Sequence, residues 1–412
     1  MNNKGSLAIA LLLILVLSSL SAAILLRSTN ENWAAKRVAD SSAALWAAEA
    51  GVQKVYWEYN YNNCLGMVQA GTSTACISCS SCGGGNKAVA GTLTGYGDYD
   101  VTFNNASTTI QSVGSIPDRS AAKKVQRKLQ TTISKPVTFS NGIFAQGQVT
   151  LNNNSYVDAY DSGAGAYGGN NIDKTNGNVG SNGTTPGIVS IDNGTNVWGN
   201  VSTGPGGTET GGGNVHGAIT HTNSIPLPAV VVPSTLTSLS SLGELAGTQI
   251  LNSGNYKYTD LNLGNKDTLT VNGTVRLYLI GDSSHNSIVT QNNININIAV
   301  GASLIVYTDG IINIGNGSIN TGSRLPANFQ IYSTYTGAGG VTLGNNDTTY
   351  TAIYAPQTDI VISNQNWKSG FYGAVVGKTV KLDNNGDVHY DKALASMANP
   401  FQNAIISNWQ EY

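Results

Sequence analysis

The chain has few charged residues for its length. Asp, Glu, Lys and Arg make up 11% of its 412 residues, and the formal net charge is −2. This balance favours neither nucleic acid nor an acidic ligand as a partner. Glycine numbers 49, but 40% of residues are hydrophobic, so the composition is not that of a disordered chain. It is typical of a β-rich extracytoplasmic protein with many turns and two or three domains.

Catalytic motifs are also scarce. The sequence has neither a glycine pattern for nucleotides nor a nucleophile elbow. Asp387, His389 and Asp391 alternate along one predicted strand, so their side chains would share a face. They could form a catalytic or metal site, but we favour a hydrogen-bonded polar ladder where the last coil meets the tail. His216 and His221 are five residues apart and would face opposite sides of a strand. The sequence therefore predicts no enzyme, cofactor or metal.

Neither glycine nor proline occurs between Ser6 and Ala50, which permits one long helix. Residues 7–26 carry no charge, and as a helix they would span ~30 Å, the thickness of a bilayer's hydrocarbon core. An apolar stripe continues beyond them at helical spacing. We expect a helix over residues 6–58, with its first half in the membrane and its second half in water.

The five residues before this helix form a short leader. Lys4 and the free amine favour a cytoplasmic N-terminus, which sends the remaining chain outside. A secretory signal peptide is cleaved after its apolar part. Here the plausible processing point precedes it, between Gly5 and Ser6, so the apolar helix would be retained.

Three features resemble the type IV pilin superfamily, and within it the PilX-type minor pilins. They are Lys4-Gly5-Ser6, the apolar run, and the segment AAEAG at residues 47–51. The resemblance implies processing by a prepilin peptidase and assembly with other minor and major pilins through an inner-membrane platform. Most major pilins carry Glu at the fifth mature position, where this chain has Ala10. Minor subunits at a filament tip are the members known to dispense with that carboxylate.

The chain's four cysteines lie close together, at Cys64, Cys76, Cys79 and Cys82. Their C-x-x-C-x-x-C spacing could hold zinc or an iron–sulfur cluster. An oxidising compartment favours two disulfides instead. Four cysteines allow three pairings, and the sequence does not select one.

Residues 59–136 are predicted to form a small pilin-like head around this cysteine-rich loop. Three β-like runs follow the loop, at residues 98–103, 108–116 and 123–133. They would pack as a small sheet against the upper half of the long helix. The lysines and arginine between residues 123 and 128 are interpreted as a solvated strand edge that discourages further pairing, rather than a DNA site.

Residues 137–412 alternate short apolar runs with Asn-Gly, Gly-Asn and Asn-Asn turns. Ile294, Ile296 and Ile298 alternate with asparagines, which places three isoleucines on one strand face. Such a pattern favours a right-handed parallel β-helix whose coils bury that face between them. A β-sandwich would show the same alternation and is the alternative. The fold class is thus α+β.

Two segments interrupt the pattern. The proline-rich residues 225–233 and a short helix at 234–243 either divide the region into lobes or cross one face of the stack. Residues 392–412 are expected to form two short helices that cap its open end. Residues 352–394 resemble an uncharacterised domain family attached to PilX-type N-termini, which implies context but no chemistry.

Together these features predict a minor pilin of a type IV pilus or related filament, at its tip or as a priming subunit. It would display a large β-domain for adhesion, with a surface glycan as the possible ligand. The precursor would lie in the inner membrane and the mature subunit in the periplasm or on the extracellular pilus. The alternative is a membrane-anchored carbohydrate-active enzyme on a β-helix.

Overall fold

The computed structural model describes residues 3–76, 78–79, 86–104, 106–152, 154–344, 348–363, 370–383 and 385–412, with side chains from Leu11 onward. The chain divides into two compact units. The first comprises Met1–Pro136 and Asn403–Tyr412, and the second comprises Val137–Gln402. The predicted domain boundary near residue 136 coincides with this division, whereas the last ten residues lie in the other unit from the one expected.

One helix, α1, runs from Asn3–Tyr61 and contains the whole predicted segment 6–58. It ends where Asn63 and Cys64 adopt left-handed backbone conformations. Among the described residues it is the one helix long and apolar enough to cross a membrane. Its large apolar side chains between Leu11 and Leu26 are all exposed in the isolated chain.

The second half of α1 packs on a sheet through small side chains. Ala44, Ala48 and Val52 are fully buried on that face. Close approach is possible because the facing strand carries a glycine: a Cβ on Gly114 would lie 1.8 Å from the carbonyl oxygen of Ala44. The Ser112 hydroxyl donates to the Ala48 carbonyl across the same contact, at 2.7 Å.

The sheet is antiparallel. Its first strands are β1 (Val68–Gln69), β2 (Asn86–Leu93), β3 (Gly97–Asn104), β4 (Thr109–Ile116) and β5 (Val125–Ser134). Each pairs with the next along the chain. Strands β3 to β5 correspond to the three predicted runs, while β1 and β2 were not predicted.

The second unit is mostly β. Its strands are β6 (Ile143–Ala145), β7 (Val149–Leu151), β8 (Tyr156–Tyr160), β9 (Val179–Ser181), β10 (Val189–Ile191), β11 (Asn196–Val197), β12 (Val201–Ser202), β13 (Glu209–Thr210), β14 (Asn214–Val215), β15 (Ile219–Thr220), β16 (Leu245–Ala246), β17 (Gln249–Tyr258), β18 (Leu261–Leu263), β19 (Thr268–Leu279), β20 (Asn286–Thr290), β21 (Ile294–Ile298), β22 (Ser303–Thr308), β23 (Ile311–Ile314), β24 (Gly317–Ile319), β25 (Phe329–Ser333), β26 (Val341–Leu343), β27 (Thr348–Ser363), β28 (Phe371–Asp383) and β29 (Asp387–Asp391). Helix α2 spans Ser234–Thr237, and short 3-10 helices lie at Ser162–Ala164, Gly169–Asn171, Pro326–Asn328 and Lys392–Ser396.

All pairings among these described strands are parallel and fall into three rows. The first row is β17-β19-β22-β25-β27-β28-β6-β9-β12-β15. The second is β16-β18-β20-β23-β26-β27-β28-β7-β10-β13, and the third is β17-β19-β21-β24-β27-β28-β29-β8-β11-β14. Inward side chains of all three rows form one apolar core that includes the predicted Ile294, Ile296 and Ile298. The β-sandwich alternative would need antiparallel pairs, which these strands do not make.

The order of strands in space differs from their order along the chain. The chain enters in the middle of the stack at β6 to β8 and proceeds to one end at β13 to β15. It restarts at the opposite end with β16 and returns through β28 and β29 to pair with β6, β7 and β8. The first and last coils of the unit are therefore neighbours.

The proline-rich segment makes the connection between the two ends. The Asn182 side chain binds the backbone of Ile225 through both its oxygen and its nitrogen. Farther along, the Tyr354 hydroxyl donates to the carbonyl of Pro228, at 2.7 Å. The segment thus crosses one face of the stack, which was one of the two predicted arrangements.

The tail differs from its prediction. Residues 405–411 form a strand, β30 (Ile405–Glu411), which pairs antiparallel with β5 in the first unit instead of capping the second. Thr131 fixes the pairing by donating its hydroxyl to the Ser407 carbonyl, at 2.6 Å, and Arg127 forms an ion pair with Glu411. The basic strand β5 is consequently not a free edge, because β30 covers it.

Candidate functional site

The strongest cluster of polar side chains in the second unit lies where its last coil meets its first. Strand β29 pairs with β8 in a register that sets His389 opposite Asp158. Both residues are buried, Asp158 completely. The site therefore joins side chains that are 231 positions apart in the sequence.

Asp158 is the centre of this cluster. One of its carboxylate oxygens lies 2.6 Å from Nδ1 of His389. The other accepts a hydrogen bond from the Tyr167 hydroxyl, at 2.8 Å. The Tyr167 ring also covers the imidazole, with ring centroids 4.0 Å apart. Asp158 thus holds the buried His389 and the half-buried Tyr167 through one carboxylate.

The two aspartates predicted to flank His389 have different surroundings. Asp387 is near the imidazole, and burial, together with the negative Asp158, raises its pKa to about 7. Asp391 turns away instead: its Oδ1 accepts from the backbone N–H groups of Ser162 and Ala393, so it caps the 3-10 helix Lys392–Ser396. Of the two aspartates predicted to flank His389, only Asp387 therefore lies beside it.

The imidazole is enclosed on its remaining sides. Tyr372 stacks on it with centroids 4.9 Å apart. A Cβ added to Gly370 would lie 2.8 Å from His389 Nε2, so backbone closes that edge of the ring. An acid–base pair needs contact with a substrate to transfer a proton. In the described part of the chain, this pair instead links two coils, as the predicted polar ladder would, although its partner strand is β8 and not the tail.

The remaining histidines of interest are separate from each other. His216 stacks on Trp198 with centroids 3.5 Å apart, while His221 Nδ1 lies 2.9 Å from the Thr203 hydroxyl. Among the described residues, no group of three or more His, Cys, Asp or Glu side chains could hold a metal ion.

The cysteines and the processing point belong to the first unit. Cys64 and Cys79 form a disulfide, which selects a pairing that the sequence left open. Cys76 is also disulfide-bonded, and Cys82 lies outside the described residues. Gly5 and Ser6 fall within the backbone of α1, while their side chains and residues 1–2 of the leader are outside the described part.

Sequence reasoning missed Asp158 and Tyr167. Asp158 is one of many scattered acidic residues, and Tyr167 lies in a glycine-rich stretch between β8 and β9. Neither has a local signal, because the contact requires the pairing of β8 with β29. The alternation Tyr156, Asp158, Tyr160 was the available hint that polar groups face outward on this strand.

Comparison with known families covers part of the chain. Residues 211–397 match a family described as a domain of unknown function (DUF7305). This match includes the crossing segment and the coils from β16 to β29. No curated protein matches the chain. No solved structure matches it either.

Proposed function

We propose that the chain is a minor pilin. It would enter the inner membrane with its N-terminus in the cytoplasm and be trimmed between Gly5 and Ser6 by a prepilin peptidase. It would then join a type IV pilus or related filament together with other minor and major pilins. The observation that carries the proposal is α1, whose first half is bare and apolar while its second half packs on an antiparallel sheet.

The energetics of α1 support this role. Burial of apolar surface stabilises a protein by about 25 cal/mol per Å². The large side chains between Leu11 and Leu26 are exposed in the isolated chain, so they do not contribute this stabilisation there. A bilayer satisfies them in the precursor. A bundle of equivalent helices satisfies them in a filament. Ala10 fits a subunit that does not need a buried carboxylate for assembly.

We further propose that the second unit is a right-handed parallel β-helix displayed for adhesion, with a surface glycan as its ligand. Its three parallel rows and single continuous core support the β-helix. The enclosed Asp158–His389 pair favours a binding role over the alternative of a carbohydrate-active enzyme. The Asn-rich turns supply polar groups that could bind the hydroxyls of a sugar.

Mass spectrometry of the N-terminus tests the pilin assignment. Protein from cells with an active prepilin peptidase should begin at Ser6, and protein from cells lacking it should keep residues 1–5. Gly5→Val should block trimming, whereas the matched leader variant Asn3→Ala should not. The mature protein should also co-sediment with sheared filaments. A mature N-terminus at Met1, or beyond residue 26, would contradict the proposal.

A glycan array probed with the full chain, alongside a screen for polysaccharide cleavage, tests the displayed unit. We expect binding without cleavage, and no change in either result for His389→Gln provided that it folds. Cleavage that disappears in this variant would favour the enzyme.

A further inference from the structure

A groove in the first unit lies between α1 and the turn that joins β4 to β5. Trp33, Lys36, Arg37 and Asp40 line it from the helix. The opposite wall comprises Ile116 and Pro117 with residues 122–125. The cavity has a volume of about 610 Å³ and opens to solvent.

The groove is strongly basic. Lys36, Arg37, Lys123 and Lys124 all line it, and Asp40 is its one carboxylate. The Lys124 ammonium donates to the Arg119 carbonyl, at 2.6 Å. Among the described residues, the other three cations make no ion pair within the chain. Four clustered cations in a protein of net charge −2 form a local field that attracts an anion.

The position of the groove along α1 identifies which anion is nearest. Trp33 and Arg37 are seven and eleven residues beyond Leu26, so they lie ~10 Å and ~16 Å above the end of the apolar run. Helical side chains tilt toward the N-terminus, and long basic side chains extend toward headgroups. Trp33 is 65% exposed, and exposed tryptophan is the residue typical of a membrane interface.

We propose that this groove binds the phosphate headgroup of an anionic phospholipid in the leaflet that faces the first unit. The inference rests on the membrane insertion included in the proposed function. The four cations contact the phosphate and offset its charge, and the Trp33 ring and Ile116 pack against the glycerol and the first acyl carbons. The site holds the first unit against the membrane surface before the subunit is incorporated into a filament.

The chemistry of the groove favours a lipid over an acidic peptide. A carboxylate peptide would bind the cations but would leave the exposed Trp33 without an apolar partner. A phospholipid satisfies both, because its phosphate and its acyl chain are joined a few bonds apart. Anionic lipids attract each nearby Lys or Arg, so four such residues give a measurable preference for an anionic headgroup.

Native mass spectrometry of the full chain in detergent micelles tests the site. The probes are phosphatidylglycerol, which is anionic, and phosphatidylcholine, whose headgroup is zwitterionic. We expect phosphatidylglycerol to be retained with at least about tenfold preference. The variant K36Q/R37Q/K123Q/K124Q should lose this preference. The matched variant K266Q/R276Q/R324Q/K378Q removes four exposed cations of the second unit and should keep it.

Three results would overturn the proposal. The first is equal retention of both lipids by the unaltered chain, and the second is loss of the preference in both variants alike. The third is displacement of the lipid by millimolar inorganic phosphate or by a poly-glutamate peptide. Circular dichroism of each variant confirms that α1 is intact. This test is independent of trimming at Gly5. If the chain prefers the anionic lipid but is never trimmed, the groove proposal holds and the pilin assignment fails. If the chain is trimmed but shows no lipid preference, the pilin assignment holds and the groove proposal fails.

Discussion

The two units build sheets in opposite ways. In the first, strands β1 to β5 pair antiparallel, each with the next along the chain. In the second, strands pair in parallel, and each finds its partner about one coil away or, at the joint of β8 with β29, across most of the unit. Each unit nevertheless depends on one pairing between strands that are far apart in the sequence. This pairing joins β30 to β5 in the first unit and β29 to β8 in the second. The alternation of apolar and polar residues therefore determines the strands, while pairing between strands distant in sequence completes each unit.

Their cores differ accordingly. The first unit buries its sheet against a single helix, through small residues such as Ala44 and Gly114 that let the backbones approach. The second buries inward side chains between successive coils, and no coil has a core of its own. Losing one element of the first unit should thus expose an edge locally. Losing a contact between coils should loosen the stack at that point.

Deleting residues 403–412 is the change with the largest expected effect. It removes β30 and leaves the backbone N–H and C=O groups of β5 that face β30 without partners, while the pairing of β5 with β4 remains. At about 1 kcal/mol for each hydrogen bond, the loss is about 5 kcal/mol. Hydrogen–deuterium exchange of the full chain in detergent should show faster exchange in Val125–Ser134, with protection unchanged in β27 and β28.

Trp409→Ala is the control for this deletion, because it keeps the strand while removing a half-exposed ring. It should leave the exchange of β5 nearly unchanged. Equal protection of β5 in the deleted and intact chains would show that the first unit does not need its last strand.

Asp158→Ala tests the joint between the coils. It removes the shared acceptor of the half-buried Tyr167 hydroxyl and the buried His389 Nδ1, which should cost about 3 kcal/mol. Thermal unfolding of the second unit should shift down, and exchange should rise first in β8 and β29.

Asp192→Ala is the matched control, since this carboxylate is exposed. It should change stability by no more than about 0.5 kcal/mol. If both variants unfold at the temperature of the unaltered chain, then the Asp158 contacts do not hold the coils together.

Asp387→Asn should have no effect at low pH, and its effect should depend on pH. Burial raises the pKa of Asp387 from 3.8 to about 7, so the folded state favours the neutral carboxyl. Its contribution to stability is complete below pH 4 and is lost as pH rises to 7. The amide stays neutral, so the variant should match the unaltered chain in stability at pH 4 and be more stable than it at pH 8. An equal difference at both pH values would contradict the pKa shift.

Much of the fold could be predicted from the sequence because its signals are local. The absence of Gly and Pro between Ser6 and Ala50 indicated α1, and alternation indicated β3 to β5 and the buried isoleucines of β21. The tail could not be predicted in the same way. Its apolar run IISNW suits a helix or a strand, and only β5, some 270 residues earlier, selects the strand.

The candidate site was predictable only in part for the same reason. Alternation placed Asp387, His389 and Asp391 on one face of a strand; Asp387 is indeed near His389, whereas Asp391 caps a 3-10 helix. The hydrogen-bond partner of His389, Asp158, lies 231 positions earlier in the sequence, on the neighbouring strand β8, and no spacing rule connects the two residues. The cysteines are an intermediate case: proximity indicated disulfides, but the pairing of Cys64 with Cys79 required the loop's conformation.

The late pairing of β30 has a consequence for biosynthesis. Residues 403–412 are synthesised after the whole second unit, so the first unit, although begun earlier, stays incomplete until the second unit has been made. A product terminated prematurely anywhere after Pro136 would retain a bare β5 edge, a feature that quality-control proteases recognise through its exposed backbone. Completion of the first unit is thereby coupled to synthesis of the second.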